Sequence, residues 1–193
     1  MNPTTQRSLV LILLALLMAG TRADHFGPLP DASWAVFFVG GFMLSMWTRW
    51  AFPLLMALAV AVDYVVITRS GQSFWSHYCV SPAYWCLIPA YFSMWAGGLW
   101  LRRRGAGADL RSLGLLSASL VAAVVVCQLI SQGSFYWFSG VVAQPTLAGW
   151  WDNYVTYLVP YLATSAKYVA IAAGLHAVAV HAARLRNGAP ARS

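Results

Sequence analysis

Apolar residues along this chain gather into long runs separated by short joints rich in arginine, proline, glycine or aromatic residues. Runs fit to cross a hydrocarbon core of ~30 Å occupy residues 8–21, 32–50, 52–68, 83–101, 112–130 and 154–180. The pattern predicts an all-α integral membrane protein, one domain over residues 1–193 with six transmembrane helices and both termini on the same side. The joint between the second and third runs is tight, at Trp50-Ala51-Phe52-Pro53, where Pro53 suits the first turn of a new helix. The first run is the shortest. Its competing reading is a cleaved signal peptide with Arg7 as the charged region, Leu9–Met18 as the apolar region and Thr21-Arg22-Ala23 as a poor cleavage site; the six-span reading retains it.

Composition agrees with this pattern and removes other classes. Charged residues make up 9% of the 193, against about 25% in soluble domains. Hydrophobic residues reach 60% and the mean hydropathy is +0.64, so polar surface is too scarce to coat a globule in water. Disorder is excluded by the same numbers, and the length leaves no room for a separate soluble catalytic domain. A net charge of +7 invites a nucleic-acid reading, but the cations are sorted by side instead of clustered on one face. With a cytoplasmic N-terminus, nine of the 12 fall inside: Arg7, Arg49, Arg102, Arg103, Arg104, Arg111, Arg184, Arg186 and Arg192. Only Arg22 and Arg69 fall outside, and Lys167 lies within a span. An excess of Lys and Arg in cytoplasmic flanks is what orients such proteins.

This topology puts residues 22–31, 69–82 and 131–153 on the outer face. The first segment holds Asp24, His25, Pro28 and Pro30 and ends in Asp31, placed to cap the second helix. The second runs from Arg69 through Gln72, Trp75, His77, Tyr78, Cys79 and Pro82 into Tyr84-Trp85-Cys86. The third carries Phe135-Tyr136-Trp137-Phe138, Gln144 and Trp150-Trp151-Asp152-Asn153-Tyr154. Tyr and Trp collect at membrane interfaces as anchors, which accounts for part of this density. An anchor belt has no need of Gln72, His77, Gln144 and Asn153, and rings mixed with amides suit a large, partly apolar ligand with peripheral amides.

Cys127 sits among Val and Ala as a small apolar residue. Cys79 and Cys86 lie near the outer surface, where two readings stay open: a disulfide in an oxidising compartment, or a thiolate donor to a soft metal. His77 stands two residues before Cys79. No Walker, HExxH, GxSxG or CxxC motif occurs, so nucleotide chemistry and conventional hydrolysis have no carrier. Asp63 and Lys167 fall about 16–20 Å into their spans by helical rise. Ionisable residues at such depth require a partner or a cavity, and an Asp63–Lys167 ion pair between the third and sixth helices is expected. Ala15 and Ala19, four apart in the first helix, open a face where another helix can approach closely.

Six short helices in under 200 residues, the Ala15-Ala19 pair and three outer loops together resemble an S-component, the substrate-binding membrane subunit of energy-coupling-factor (ECF) vitamin transporters. Within that group, His77-Tyr78-Cys79-Val80-Ser81-Pro82-Ala83-Tyr84-Trp85 resembles the BtuM family of solitary cobalamin-specific S-components. The resemblance implies a multi-pass protein of the bacterial inner membrane that takes up cobalamin (vitamin B12). It implies Cys79 as the ligand of the cobalamin cobalt and Tyr84 beside the corrin; read from the residues themselves, Tyr78 and Trp85 offer further rings to a flat corrin and His77 a second ligand or a base. It also implies a separate ECF module of two ATPases and a transmembrane coupling subunit, docked at Ala15 and Ala19, and loss of cyanide from cyanocobalamin promoted by the Cys79 thiolate. No nucleic acid is an expected partner. The rival reading is a membrane thiol-disulfide oxidoreductase using Cys79 and Cys86; a third is a structural subunit with no ligand.

Overall fold

The computed structural model describes residues 2–23, 29–105, 107 and 109–188. Within them the chain forms six α-helices: α1 (Pro3–Ala23), α2 (Ser33–Met43), α3 (Thr48–Arg69), α4 (Leu87–Arg103), α5 (Leu110–Phe138) and α6 (Leu147–Gly188). Short 3-10 turns at Ser45–Trp47, Phe74–Ser76 and Pro82–Cys86 join them, and no strand occurs among the described residues. Asp24, His25, Pro28 and Arg192, and the side chains of Arg184 and Arg186, lie outside the described part.

Four of these helices are long and apolar enough to cross a membrane: α1, α3 with its leading turn, α5, and α6 as far as Ala183. The all-α membrane class expected from the sequence therefore stands. α2, at 11 residues, is too short to do so alone, since it rises only about 16 Å. It is instead the central post of the bundle, packed by α1, α3, α4 and α6, and Trp34 through Phe38 are all buried.

Several expected boundaries move. The run at 32–50 is not one helix, because α2 closes at Met43 and fully buried Leu44 turns the chain, its N–H donating to the Gly40 carbonyl at 2.8 Å. Thr48 then starts α3 and accepts a hydrogen bond from Trp95 Nε1 at 3.1 Å. Pro53 accordingly lies inside α3, not in its first turn. The one side-chain hydroxyl bonded within this turn is that of Thr48, which donates to the Ser45 carbonyl at 2.9 Å, too weak a break in an apolar run for hydropathy to register. α5 and α6 each extend well past the expected limits, so most of the segment 131–153 read as an outer loop is helix, and only residues 139–146 connect α5 to α6. The 42 residues of α6 rise about 63 Å, roughly twice a hydrocarbon core.

The core is built where α2 crosses α4. Gly41 meets the Trp95 carbonyl and Gly98 meets the Phe38 carbonyl so closely that a methyl on either glycine has no room. Gly40 lies against the Trp95 ring and Gly97 against Phe38 and Ala123. Small residues let membrane helices approach to backbone contact and gain dispersion along the crossing. Trp95, Phe37, Met94 and Leu55 are fully enclosed around it.

Candidate functional site

At one end of the bundle the C-termini of α1, α3 and α5 meet the N-termini of α2 and α4. The chain between α3 and α4 lies over this end. α3 is closed by Gly71, whose φ of +79° is the left-handed conformation that glycine takes without penalty. Phe74 then folds back into a small cluster with Ile67 and Tyr84, its ring 6.1 Å from that of Tyr84 in an edge contact. Pro82 opens the turn that leads to α4, and Tyr84 sends its hydroxyl down to Asp63 Oδ2 at 2.7 Å. The loop is thus pinned at Phe74 and at Tyr84, and Cys79 stands on its crest between the pins.

Cys79 is half-buried. Its N–H donates to His77 Nδ1 at 3.3 Å, and the Val80 N–H closes the turn on the His77 carbonyl at 2.8 Å. The His77 and Tyr78 rings lie 4.4 Å apart, and Tyr78 reaches the Phe135 ring of α5 at 6.5 Å. Burial pushes the Cys79 thiol above its ordinary value; the Tyr78 hydroxyl offsets part of this, and the Asp63 charge adds to it. Tyr78 is 60% exposed and Trp85 59%, so both offer ring surface outward. Tyr84 is 8% exposed, with its hydroxyl on Asp63 rather than facing out. The structure therefore brings His77, Tyr78 and Cys79 together and places Tyr84 beneath as a support, whereas Trp85 stands edge-on to Tyr84 and turns toward Met56 and Val60 of α3. Among the described residues no group of three or more His, Cys, Asp or Glu is arranged to hold a metal ion. Cys79 is a single donor, and all three cysteines are free thiols.

Beneath the loop is a buried charge cluster that differs from expectation. Asp63 pairs with Arg22, not with Lys167. Arg22 Nε and Nη2 donate to the two Asp63 oxygens at 2.6 and 2.7 Å, while Nη1 reaches Asp31 at 3.2 Å, Ser33 Oγ at 3.1 Å and the Tyr91 hydroxyl at 3.0 Å. Arg22 and Asp63 are each 6% exposed. The expectation failed on two counts of geometry. α1 continues to Ala23, so Arg22 is in its last turn and points into the bundle instead of lying in an outer loop. α2, packed against both α3 and α6, stands between the helices that carry Asp63 and Lys167, and Lys167 lies on an exposed face of α6. Asp31 is not the N-cap of α2, which is Ala32; one residue earlier, it accepts from the Ser33 N–H at 2.9 Å, and its other oxygen serves Arg22.

The same end holds buried polar groups, of which the sequence reading passed over Gln128 and Gln132. Gln128, fully buried on α5, leaves Nε2 without a partner, and Ser81 Oγ, Gln132 Oε1 and Trp150 Nε1 are in the same condition. Gln132 donates to Asn153, so that amide ties α5 to α6. A buried polar atom without a partner is costly and marks a place where a ligand or ordered water belongs. A glutamine inside an apolar 19-residue run, on one face with a second glutamine four residues on, was a signal available in the sequence. Ala15 and Ala19 are both half-buried, and Ala15 rests against the bundle core; the strip of α1 that faces outward is Leu9, Ile12, Leu13 and Leu16.

At the opposite end an apolar cavity of about 820 Å³ opens between α2, α5 and α6, with Phe42, Leu116 and Ala173 in its wall. No family model matches this chain, and a search of curated proteins finds no match. Among its described residues the chain is an all-helical bundle with four helices fit to cross a membrane and with a half-buried loop thiol, Cys79, next to the His77 and Tyr78 rings at one end.

Proposed function

We propose that this chain is a cobalamin-binding and uptake protein of the S-component type, a six-helix bundle in the bacterial inner membrane with both termini in the cytoplasm. The observation that carries the reading is the free, half-buried Cys79 thiol on a pinned loop, next to the outward ring of Tyr78 and with its N–H on His77. A lone protein donor cannot build a metal site by itself. It fits a metal whose remaining positions are already filled by a macrocycle, as cobalt is in a corrin, and thiolate is a strong donor to such a metal. Flanking rings suit the wide apolar face of the macrocycle. The unpartnered Ser81, Gln132 and Trp150 atoms suit the amide arms around its edge.

With cyanocobalamin, replacement of cyanide by the Cys79 sulfur changes no oxidation state: a Co–S bond forms, the Co–C bond breaks, and the thiol proton leaves with cyanide as hydrogen cyanide. Energy for transport comes from a separate ECF module, with Ala15 and Ala19 on the helix that meets it.

The test is the visible absorption spectrum of the detergent-purified protein after exposure to cobalamin, with Cys79→Ala and Cys86→Ala beside the wild type. A retained corrin spectrum, shifted in the wild type and in Cys86→Ala but not in Cys79→Ala, is the expected result. Colourless protein in all three overturns the reading.

A further inference from the structure

The cavity at the arginine-rich end has no part in the cobalamin reading. Its wall is hydrocarbon from Phe38 and Phe42 of α2, Leu113 and Leu116 of α5, and Ala170 and Ala173 of α6. Its volume of about 820 Å³ lies in the range of about 300–1,000 Å³ that holds small ligands. Water gains nothing from so apolar a surface, and an unfilled cavity forfeits the dispersion its lining atoms would make. α5 and α6, which form two of the walls, are among the four helices fit to cross a bilayer, so lipid tails are the apolar solvent at hand.

Among the described residues, Asp109 is the one Asp, Glu, Lys or Arg in the lining itself, and the cation that selects the lipid stands just behind the wall, against Phe42. The Arg102 guanidinium lies 5.4 Å from the centre of the Phe42 ring, in the cavity wall. Arg103 and Arg104 follow it, and Arg111 stands on the first turn of α5. His176 meets Phe42 edge-on at 5.7 Å. Asp109 is the acidic residue on this rim, and its carboxylate is engaged at the start of α5 by the Ser112 N–H at 3.0 Å. We infer that the cavity between α2, α5 and α6 is a specific site for one anionic phospholipid, an acyl chain filling the cavity and the phosphate resting at Arg102. The leaflet is the one on the side of Arg102–Arg104.

The full chain, purified in detergent, is mixed with equal amounts of dioleoylphosphatidylglycerol and dioleoylphosphatidylcholine, and retained lipid is counted by native mass spectrometry. The wild type is expected to retain one phosphatidylglycerol in preference to phosphatidylcholine, an arm that needs no variant. Arg102→Gln should lower that preference about fivefold, the worth of one arginine near an anionic headgroup, with total lipid unchanged. Ala173→Trp fills the cavity from α6 and Leu116→Trp fills it from α5; whichever melts like the wild type should lose the lipid. Glycerol 3-phosphate, a headgroup without tails, should not displace it. Absence of headgroup preference in the wild type, full lipid retention by a folded filled variant, or displacement by glycerol 3-phosphate each overturns the proposal. Cobalamin retention is read in the same samples and should be indifferent to both tryptophan variants, which separates this site from the one at Cys79.

Discussion

Arg22 shows how far a residue's role depends on what surrounds it. Counted along the chain it is a stray positive charge on the outer side; in the bundle it serves Asp63, Asp31, Ser33 and Tyr91 at once. Removing one partner of such a pair leaves the other charge buried and uncompensated, which costs about 3–5 kcal/mol. Asp63→Asn and Arg22→Gln should each lower the unfolding temperature in detergent sharply, and the double variant should lose less than their sum because both remove one interaction. Lys167→Met, on an exposed face, should stay within about 0.5 kcal/mol of the wild type. A Lys167→Met loss as large as that of Asp63→Asn would restore the pairing read from the sequence.

Cys79 yields a prediction of the same kind. Its thiol is held above the ordinary value, so the free protein keeps it protonated through neutral pH. Binding to cobalt removes that proton. Cobalamin affinity should therefore climb about tenfold per pH unit as pH rises toward the thiol pKa and level off above it. Tyr78→Phe removes the hydroxyl that offsets burial and should weaken binding at a fixed neutral pH. Titrating the absorption shift between pH 6 and 9 measures both effects, and a flat profile would mean that no proton leaves Cys79.

Between elements, the crossing of α2 and α4 decides the architecture. It rests on Gly41 and Gly98, each facing a backbone carbonyl of the opposite helix. Gly41→Ala or Gly98→Ala forces the helices apart and should cost at least the 1–3 kcal/mol typical of overpacking. Gly20→Ala, with open space around its Cα, should not destabilise. Far-ultraviolet melting of the three variants in one detergent makes the comparison; an unchanged Gly41→Ala melt would remove the crossing as the organising contact. The glycine pairs at 40–41 and 97–98 were visible in the sequence, but which helices they join was not, because hydropathy gives no partner. Hydropathy also merged the end of α2 with the start of α3, since the turn between them is held by backbone bonds and by the Thr48 hydroxyl on the Ser45 carbonyl, which scarcely interrupt an apolar run.

For the whole molecule, the two ends differ in chemistry: one carries Cys79, the rings and the buried ion pair, the other the arginines and the apolar cavity. If the arginine-rich end is cytoplasmic, a membrane-impermeant maleimide should label Cys79 in intact cells and leave Cys127, buried in α5, unlabelled. Labelling of Cys79 only after the cells are opened would reverse the orientation.

The membrane class, the presence of six helices in order and the loop that carries Cys79 are legible along the chain alone. Those follow from composition and local hydrophobic patterning, which a linear chain displays. It took the folded bundle to show that Asp63 belongs to Arg22, that Tyr84 props the loop from below, that α2 is an enclosed post, and that an apolar cavity opens beside Phe42. Each of these depends on which faces of distant segments meet, and near-uniform apolarity in membrane helices leaves too little contrast for the chain to announce its pairings. Packing around small residues and the need to satisfy every buried charge settle them instead.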